Sequence, residues 1–174
     1  MKIFRCRICG DPYLGEEIPT NCPFCGAPSK YIIPAKDWVE PEIETLSEVS
    51  KKNLEAALQL EIENTSFYMC ASQMTEKPEG KQLFRALSKI EREHAYLISE
   101  MLFKPKPVIE LDKLACYPTY QENLKDAHHR EERAIKLYGQ FFKEAKEPHV
   151  QEVFGALTLI ESDHLKLANE RIRI

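Results

Sequence analysis

From about residue 45 onward, apolar residues recur three and four positions apart, the spacing of amphipathic helices. The pattern predicts four helices, separated by Pro- or Gly-containing breaks, over 45–74, 78–103, 119–145 and 148–172. Thr45 and Glu48 resemble a capping box, so we expect the first helix to begin at Thr45. The breaks within each pair of helices are short, which favours two antiparallel hairpins.

The segment 104–118 joins the two predicted hairpins and contains 15 residues. Fully extended, such a segment reaches about 50 Å. A helix of about 26 residues is ~39 Å long, so the segment can cross the whole length of its neighbour. The pattern therefore predicts a mainly α fold, a four-helix bundle with one long crossover.

The first 41 residues lack this helical period and hold nine of the 17 Gly and Pro residues. We therefore predict two domains, residues 1–41 and residues 42–174. A domain of about 40 residues is too small to bury a self-sufficient core and needs a cross-link. The expected apolar shell of this head is Phe4, Tyr13, Ile18, Phe24, Tyr31 and Ile32.

The composition is that of a globular protein, with 43% hydrophobic residues and a net charge of -4. This mildly acidic balance argues against a nucleic-acid or membrane-surface partner. No stretch approaches the ~20 apolar residues that span a bilayer, and the N-terminus lacks the apolar core of a signal peptide. We expect a cytoplasmic protein, in which clustered cysteines are reduced and available to metals.

The head carries two Cys-x-x-Cys pairs, Cys6 with Cys9 and Cys22 with Cys25, 12 residues apart. Four thiolates complete a tetrahedral metal site. A glycine follows each pair and allows the chain to turn tightly around the sulfurs. The spacing leaves the metal open: zinc would make the head structural, whereas iron would make it a one-electron carrier.

The helical part repeats itself at an offset of 70 residues. Across the windows 53–68 and 84–97, 12 of 30 positions are identical to those 70 residues later, whereas ordinary composition gives about two. The two hairpins are therefore expected to be related by a pseudo-two-fold axis. The repeat contains Glu61 with Glu131, Tyr68 with Tyr138, and Glu91-x-x-His94 with Glu161-x-x-His164.

The repeated Glu and His residues lie on apolar helix faces, where unpaired charges are costly. Two of the helices each carry one lone Glu, and the other two each carry one Glu-x-x-His. This set of residues matches a dimetal-carboxylate site in a bundle core. Four carboxylates balance two divalent ions. Mixed oxygen and nitrogen ligands favour iron or manganese over calcium or a zinc cage.

These motifs together resemble the rubrerythrin family, with the rubredoxin-like domain at the N-terminus, the order called reverse rubrerythrin. The resemblance rests on the four cysteines, on the Cys22-Pro23-Phe24-Cys25-Gly26 run, and on the repeated Glu and His residues. It implies a rubredoxin-like domain with a mononuclear four-cysteine iron, followed by a ferritin-like di-iron four-helix bundle.

The resemblance also implies a function: a non-haem di-iron peroxidase that reduces hydrogen peroxide to water, with electrons relayed by the four-cysteine iron. Rubredoxin or an NAD(P)H-dependent reductase would be the electron donor. A head-to-tail homodimer would bring one chain's head to the other's di-iron site, and a domain-swapped hairpin is the alternative. The alternative functions are a ferroxidase or oxygen reductase, or a non-enzymatic iron-binding module with a zinc head.

Carried over residue by residue, the resemblance makes Glu91 and Glu161 bridging ligands. Glu61, Glu131, His94 and His164 would be terminal ligands, and the hydroxyls of Tyr68 and Tyr138 would hydrogen-bond a carboxylate.

One position departs from the family pattern, because Ala134 stands where rubrerythrins often carry an extra Glu that exchanges with a His. A symmetric six-ligand site is expected instead, and ligand switching and peroxide preference stay open. His128 is an alternative ligand but is expected to be partly exposed. Cys70 is expected to be a buried apolar residue and Cys116 a linker residue, neither with a predicted partner.

Overall fold

The computed structural model describes residues 1–41 and 45–172, in which four long helices follow a small β-sheet head. The predicted domain boundary between residues 41 and 42 adjoins residues 42–44, which lie outside the described part, and it stays a prediction. The mainly α fold class is confirmed. The helices are α1 (Glu48–Met74), α2 (Pro78–Met101), α3 (Tyr120–Glu144) and α4 (Pro148–Asn169).

The helix ends show where the sequence prediction was inaccurate. Ser47, not Thr45, caps α1, because the Ser47 hydroxyl accepts the backbone N–H of Ser50 at 3.4 Å. α2 ends at Met101, two residues early, because Phe103 takes the left-handed conformation (φ 56°) and the helix cannot continue through it. A proline starts both α2 and α4, where its missing N–H costs nothing.

Each hairpin caps the first helix of the other hairpin. Glu147, between α3 and α4, accepts the backbone N–H of Ser47 at the start of α1. Glu76, between α1 and α2, accepts the backbone N–H of Tyr120 at the start of α3, at 2.7 Å. A carboxylate is stabilised at a helix N-terminus by the helix dipole and the free N–H groups. The reciprocity supports the pseudo-two-fold relation predicted from the repeat.

The Glu147 cap predicts a pH-dependent contribution to stability. Burial opposes ionisation of this carboxyl, but hydrogen bonds from Ser50 and Ser47 outweigh it and lower the pKa from 4.5 to about 2. The stabilisation is therefore present above pH 4.5 and is lost as the pH falls towards 2. Glu147→Gln should lower the free energy of unfolding by about 1–3 kcal/mol at pH 7, and by much less near pH 3.

Urea unfolding of the metal-free protein at both pH values measures this difference without interference from acid-induced metal loss. The exposed Glu17, changed to Gln, is the matched control and should have little effect at either pH. Equal losses for Glu147→Gln at pH 7 and pH 3 would contradict the assignment of the stabilisation to the ionised carboxylate.

The head is a three-stranded antiparallel sheet in the order β2 (Pro12–Gly15), β1 (Lys2–Cys6), β3 (Ile32–Pro34). The glycine after each cysteine pair has a positive φ, 76° at Gly10 and 78° at Gly26. Side chains rarely adopt this conformation, so both tight turns require glycine, as the sequence suggested.

The apolar shell of the head differs from the prediction in two pairs of residues. Ile18 and Phe24 are 44% and 39% exposed, while Ile8 and Ala27 are buried instead. Ala27 is buried because it belongs to the same apolar core as the bundle residues Leu97 and Ile160. The head therefore completes its core with the bundle rather than alone.

The head lies against the middle of the bundle of its own chain. A Cβ atom on Gly26 would stand 3.2 Å from Ile160 and 3.7 Å from Ile90, a tight contact that adds to the strain a side chain would meet at φ 78°. Arg7 forms a salt bridge with Glu152 of α4 at 2.6 Å. The head therefore contacts the bundle of its own chain, whereas the family resemblance led us to expect that it serves the bundle of a second chain.

The crossover, residues 102–119, returns along α1. Lys104 pairs with Glu55 of α1 at 2.9 Å. Further along, Cys116 forms a disulfide with Cys70, with a Cα–Cα distance of 5.7 Å. Cys70 is buried, as expected, but the spacing suggested no partner for either cysteine, and the structure pairs them with each other. A separation of 46 residues gives no local signal of the pairing, which arises only because the crossover folds back beside α1.

Among the described residues, no helix combines the length and apolar character that crossing a membrane requires.

Candidate metal centres

The four head cysteines converge on one point. The Sγ atoms of Cys6 and Cys25 are 3.8 Å apart, as are those of Cys9 and Cys22, and all four lie within 4.8 Å of one another. Cys9 is partly exposed, and the other three are buried. Four sulfurs at this spacing are a tetrahedral donor set for iron or zinc.

Without a cation the four thiols must share protons. Hydrogen bonds from Cys25 and Cys6 lower the pKa of Cys22, while the hydrogen bond with Cys22 raises the pKa of Cys9. Four thiolates can coexist at this distance only around a positive ion, because their charges otherwise repel. The donor set therefore fits a metal ion.

A second group, here called the buried cluster, lies in the bundle core and receives residues from all four helices. It contains Glu61 of α1, Glu91 and His94 of α2, Glu131 of α3, and Glu161 and His164 of α4. None of the six is more than 6% exposed. The structure thus brings together all six Glu and His residues of the internal repeat that were predicted to be ligands.

The buried cluster divides into two four-residue groups that share two carboxylates. Within each group the donor atoms lie within 4.8 Å of one another. Glu91 and Glu161 belong to both groups, which is the position that bridging ligands require. The groups are Glu61, Glu91, His94 and Glu161, and Glu91, Glu131, Glu161 and His164.

Both histidines turn Nδ1 towards the carboxylates. His94 Nδ1 lies 3.3 Å from Glu91 and 3.4 Å from Glu161, and His164 Nδ1 lies 3.1 Å from Glu91 and 3.0 Å from Glu161. His94 Nε2 is 2.8 Å from the backbone carbonyl of Cys25. A carbonyl only accepts, so Nε2 of the neutral ring carries the proton and the Nδ1 lone pair faces the carboxylates. Both sets of atoms are then acceptors, so a cation has to lie between them. It is either a metal ion or, without metal, a proton on His94, whose pKa burial lowers but the charge of Glu61 raises overall.

The electrostatics of the carboxylates lead to the same requirement. Burial, reinforced by the charges of Glu91 and Glu161, raises the pKa of Glu61 and Glu131 well above 4.5. Burial acts on Glu91 too, but the adjacent His164 and His94 rings outweigh it and lower its pKa. Carboxylate oxygens of all four Glu residues are buried without a hydrogen-bond donor. Two divalent ions would satisfy these oxygens, so the residues fit a dimetal centre.

The two repeated tyrosines hydrogen-bond to carboxylates across the hairpins. The Tyr68 hydroxyl donates to Glu131, and the Tyr138 hydroxyl donates to Glu61. Both rings are fully buried, and burial raises the pKa of both hydroxyls. The predicted hydrogen bonds are therefore present, and the tyrosines stay protonated donors.

His128, the alternative ligand, does not join the buried cluster. Its Nδ1 lies 2.7 Å from Asn169, and its Nε2 faces Glu132 at 3.4 Å on the outer side of α3. Ala134, at the position of the family's extra Glu, is fully buried. Sequence reasoning missed the hydrogen bond between His94 Nε2 and the backbone carbonyl of Cys25. A backbone contact across 69 residues leaves no pattern in the sequence.

Two family models match successive parts of the chain. The model described as the rubredoxin-like domain of rubrerythrin matches residues 4–32, and the model described as rubrerythrin matches residues 52–120. Reverse rubrerythrin-1 of Clostridium acetobutylicum is 31% identical over 113 residues.

The chain belongs to the rubrerythrin family. The order of its two parts, rubredoxin-like first, confirms the reversed arrangement that the motifs suggested. The alignment with reverse rubrerythrin-1 covers 59% of this chain and 62% of the relative. As a rubrerythrin, the chain has a four-cysteine site and a carboxylate–histidine cluster whose donors are both consistent with iron.

Proposed function

We propose that this rubrerythrin is a peroxidase that reduces hydrogen peroxide with two electrons and two protons to two molecules of water. The observation that carries the proposal is the 2.8 Å contact between the Cys25 carbonyl and His94 Nε2. It joins a cysteine of the electron-carrying head directly to a residue of the buried cluster. A storage or structural protein has no need for such a connection.

The buried cluster would hold two irons, with Glu91 and Glu161 shared between them and Glu61, Glu131, His94 and His164 as terminal ligands. When bound, the irons would supply the two electrons that peroxide reduction consumes, and an iron in the head would replace them one at a time. The Cys25 carbonyl fixes the His94 tautomer, so that Nδ1 remains a donor to metal.

Tyr68 and Tyr138 would hold the terminal carboxylates in place and keep protons close to the reaction. Each hydroxyl donates to the terminal Glu of the other hairpin. Because burial raises the pKa of both phenols, neither loses its proton at neutral pH. Burial of the whole cluster also excludes bulk water from the reduced site.

Electrons would enter through the head, from rubredoxin or an NAD(P)H-dependent reductase. Cys9 is the one head cysteine with partial exposure, and it marks the side on which such a donor would approach. Head and cluster are already in contact within one chain, so the proposed transfer needs no second subunit. The head-to-tail dimer, swapped or not, stays a prediction.

The proposal is tested by counting metals and following one turnover. Protein loaded with ferrous iron should hold about three irons per chain and show a visible absorption that dithionite bleaches. Hydrogen peroxide added without oxygen should restore that absorption and be consumed at one molecule per two electrons. Colourless protein with one zinc per chain, or a head that peroxide leaves reduced, would contradict the proposal.

Oxygen reduction, coupled to ferrous-iron oxidation, is the second candidate function. Ala134 places a buried methyl group where many rubrerythrins have an extra carboxylate. The metal site would then have six protein ligands in a two-fold arrangement, without the exchanging carboxylate, which leaves the preference for peroxide open. The same reduced protein, mixed separately with equal concentrations of peroxide and oxygen, separates the two functions. Faster reoxidation by oxygen would favour the oxygen reductase.

A further inference from the structure

Two polar side chains on the core face of α1 are buried without a complete set of partners. Glu61, Asn64, Thr65 and Tyr68 follow the spacing that places residues on one helix face. Asn64 and Thr65 are 2% and 0% exposed. Neither the Asn64 Nδ2 nor the Thr65 Oγ1 has a hydrogen-bond partner. Both therefore lie on α1 between Glu61, a member of the buried cluster, and Tyr68, which donates a hydrogen bond to Glu131 of that cluster.

The orientation of the Asn64 amide is fixed by its neighbour. Arg130 Nη1 donates to Asn64 Oδ1 at 3.3 Å. Since a guanidinium only donates, the amide atom facing it is the oxygen, and the unpartnered atom is the NH2 group. An NH2 group buried without an acceptor is destabilising, so a ligand that accepts its hydrogen bond would relieve this cost.

The internal repeat shows that this polar pair is confined to one side of the cluster. At the offset of 70, Glu61 and Tyr68 have identical counterparts on α3, but Asn64 corresponds to Ala134 and Thr65 to Ile135. The ligand pattern of the bundle is thus symmetric, whereas the polar side chains next to it are not. A purely structural requirement of the bundle would apply equally to α1 and α3.

We infer that Asn64 Nδ2 and Thr65 Oγ1 form a hydrogen-bonding subsite for a small oxygen-containing or anionic ligand, on the α1 side of the buried cluster. The amide donates, and the hydroxyl both donates and accepts, which suits a molecule such as hydrogen peroxide. Both side chains are buried, so the ligand has to be small enough to enter the bundle core. The inference rests on the proposed function for the identity of this ligand.

Azide is the probe, because it is small, anionic and changes the visible absorption of ferric sites. In the oxidised, iron-loaded protein, Asn64→Leu should weaken azide binding about tenfold, the effect of losing one hydrogen bond to a charged group. Thr65→Val, which keeps the shape of the side chain, should weaken it a few-fold. The matched control is Asn123→Leu, a fully buried amide at the start of α3 that should leave azide affinity unchanged.

Thermal unfolding of the metal-free protein gives a second readout that does not depend on iron. The Asn123 side chain accepts the backbone N–H of Tyr117 and donates to the backbone carbonyl of the same residue. Asn123→Leu removes both hydrogen bonds and should lower the Tm. Asn64→Leu removes an unpaired donor and also one long hydrogen bond from the partly buried Arg130. These effects oppose each other, so the Tm should stay within about 2 °C of wild type. A loss of Tm as large as that of Asn123→Leu would show that Asn64 is a structural residue and would overturn the inference.

The inference and the proposed function fail in different ways. If the wild-type protein takes up iron and reduces peroxide, but Asn64→Leu and Thr65→Val bind azide as tightly as wild type, only the subsite is wrong. Such a result would mean that the pair holds no more than a buried water. If the wild-type protein binds two irons and azide but does not react with peroxide, the proposed function is wrong while the subsite stands.

Discussion

Glu91→Ala should slow the peroxide-driven reoxidation of the head by about 10³-fold or more, a loss of at least ~4 kcal/mol of transition-state stabilisation. Glu91 belongs to both four-residue groups of the buried cluster, so its removal would take a ligand from both proposed metal positions. It also removes one of the two carboxylates that face the Nδ1 atoms of both His94 and His164. Stopped-flow absorbance of the dithionite-reduced protein mixed with peroxide measures the rate.

The control for this experiment is Glu132→Ala, which removes an exposed carboxylate adjacent to Glu131 and should reoxidise at the wild-type rate. The visible spectrum of the head should be unchanged in both variants, because the four cysteines lie in a separate donor set. If Glu91→Ala reoxidises within about tenfold of wild type, the buried cluster is not where peroxide reacts.

Removing the metals should make stability fall steeply as the pH rises. Without cations, burial raises the pKa of Glu61 and Glu131. For His94, burial alone would lower the pKa, but the charge of Glu61 has the larger effect and raises it. All three pKa values end above those of the unfolded chain. Their contribution is complete below the unfolded pKa values and is lost as the pH rises through the folded ones. Between pH 5.5 and 8.5 the loss should be several kcal/mol, or a Tm lower by about 10 °C.

Thermal unfolding of chelator-treated protein at the two pH values measures this slope. In the iron-loaded protein the carboxylates are neutralised by metal rather than by protons, so the same interval should change the Tm little. Adding ferrous iron to the metal-free sample at pH 8.5 should restore the higher Tm. A metal-free protein that is equally stable at both pH values would mean that the cluster carboxylates do not depend on a cation.

Sequence spacing was sufficient to predict the bundle and the composition of the buried cluster. The helices keep the 3.6-residue period, and their breaks at Pro78 and Pro148 are local signals that tertiary contacts did not override. Glu61 and Glu131 could be chosen among many glutamates only because the repeat aligned them. Tyr68 and Tyr138 were selected in the same way, and each does bond to the other hairpin's carboxylate.

Contacts between distant parts of the chain could not be predicted from spacing. The Cys70–Cys116 disulfide depends on the path of the crossover, and the Cys25–His94 contact depends on where the head docks. The exposure of Phe24 has a related cause, because the head shares its core with the bundle instead of closing on its own aromatic residues. Each of these features depends on how distant elements pack together, and the local sequence of each element gives no signal of that packing.

If electrons pass from head to cluster as proposed, the contact between Cys25 and His94 would also determine the reaction order of that step. Since both partners belong to one chain, passing an electron from head to cluster would be a first-order step whose rate constant does not change with protein concentration. A mechanism that depends on two subunits would slow down as the protein is diluted below its dissociation constant. This rubrerythrin would therefore keep its internal electron supply even where the chain is scarce, and only the external donor would have to be met by diffusion.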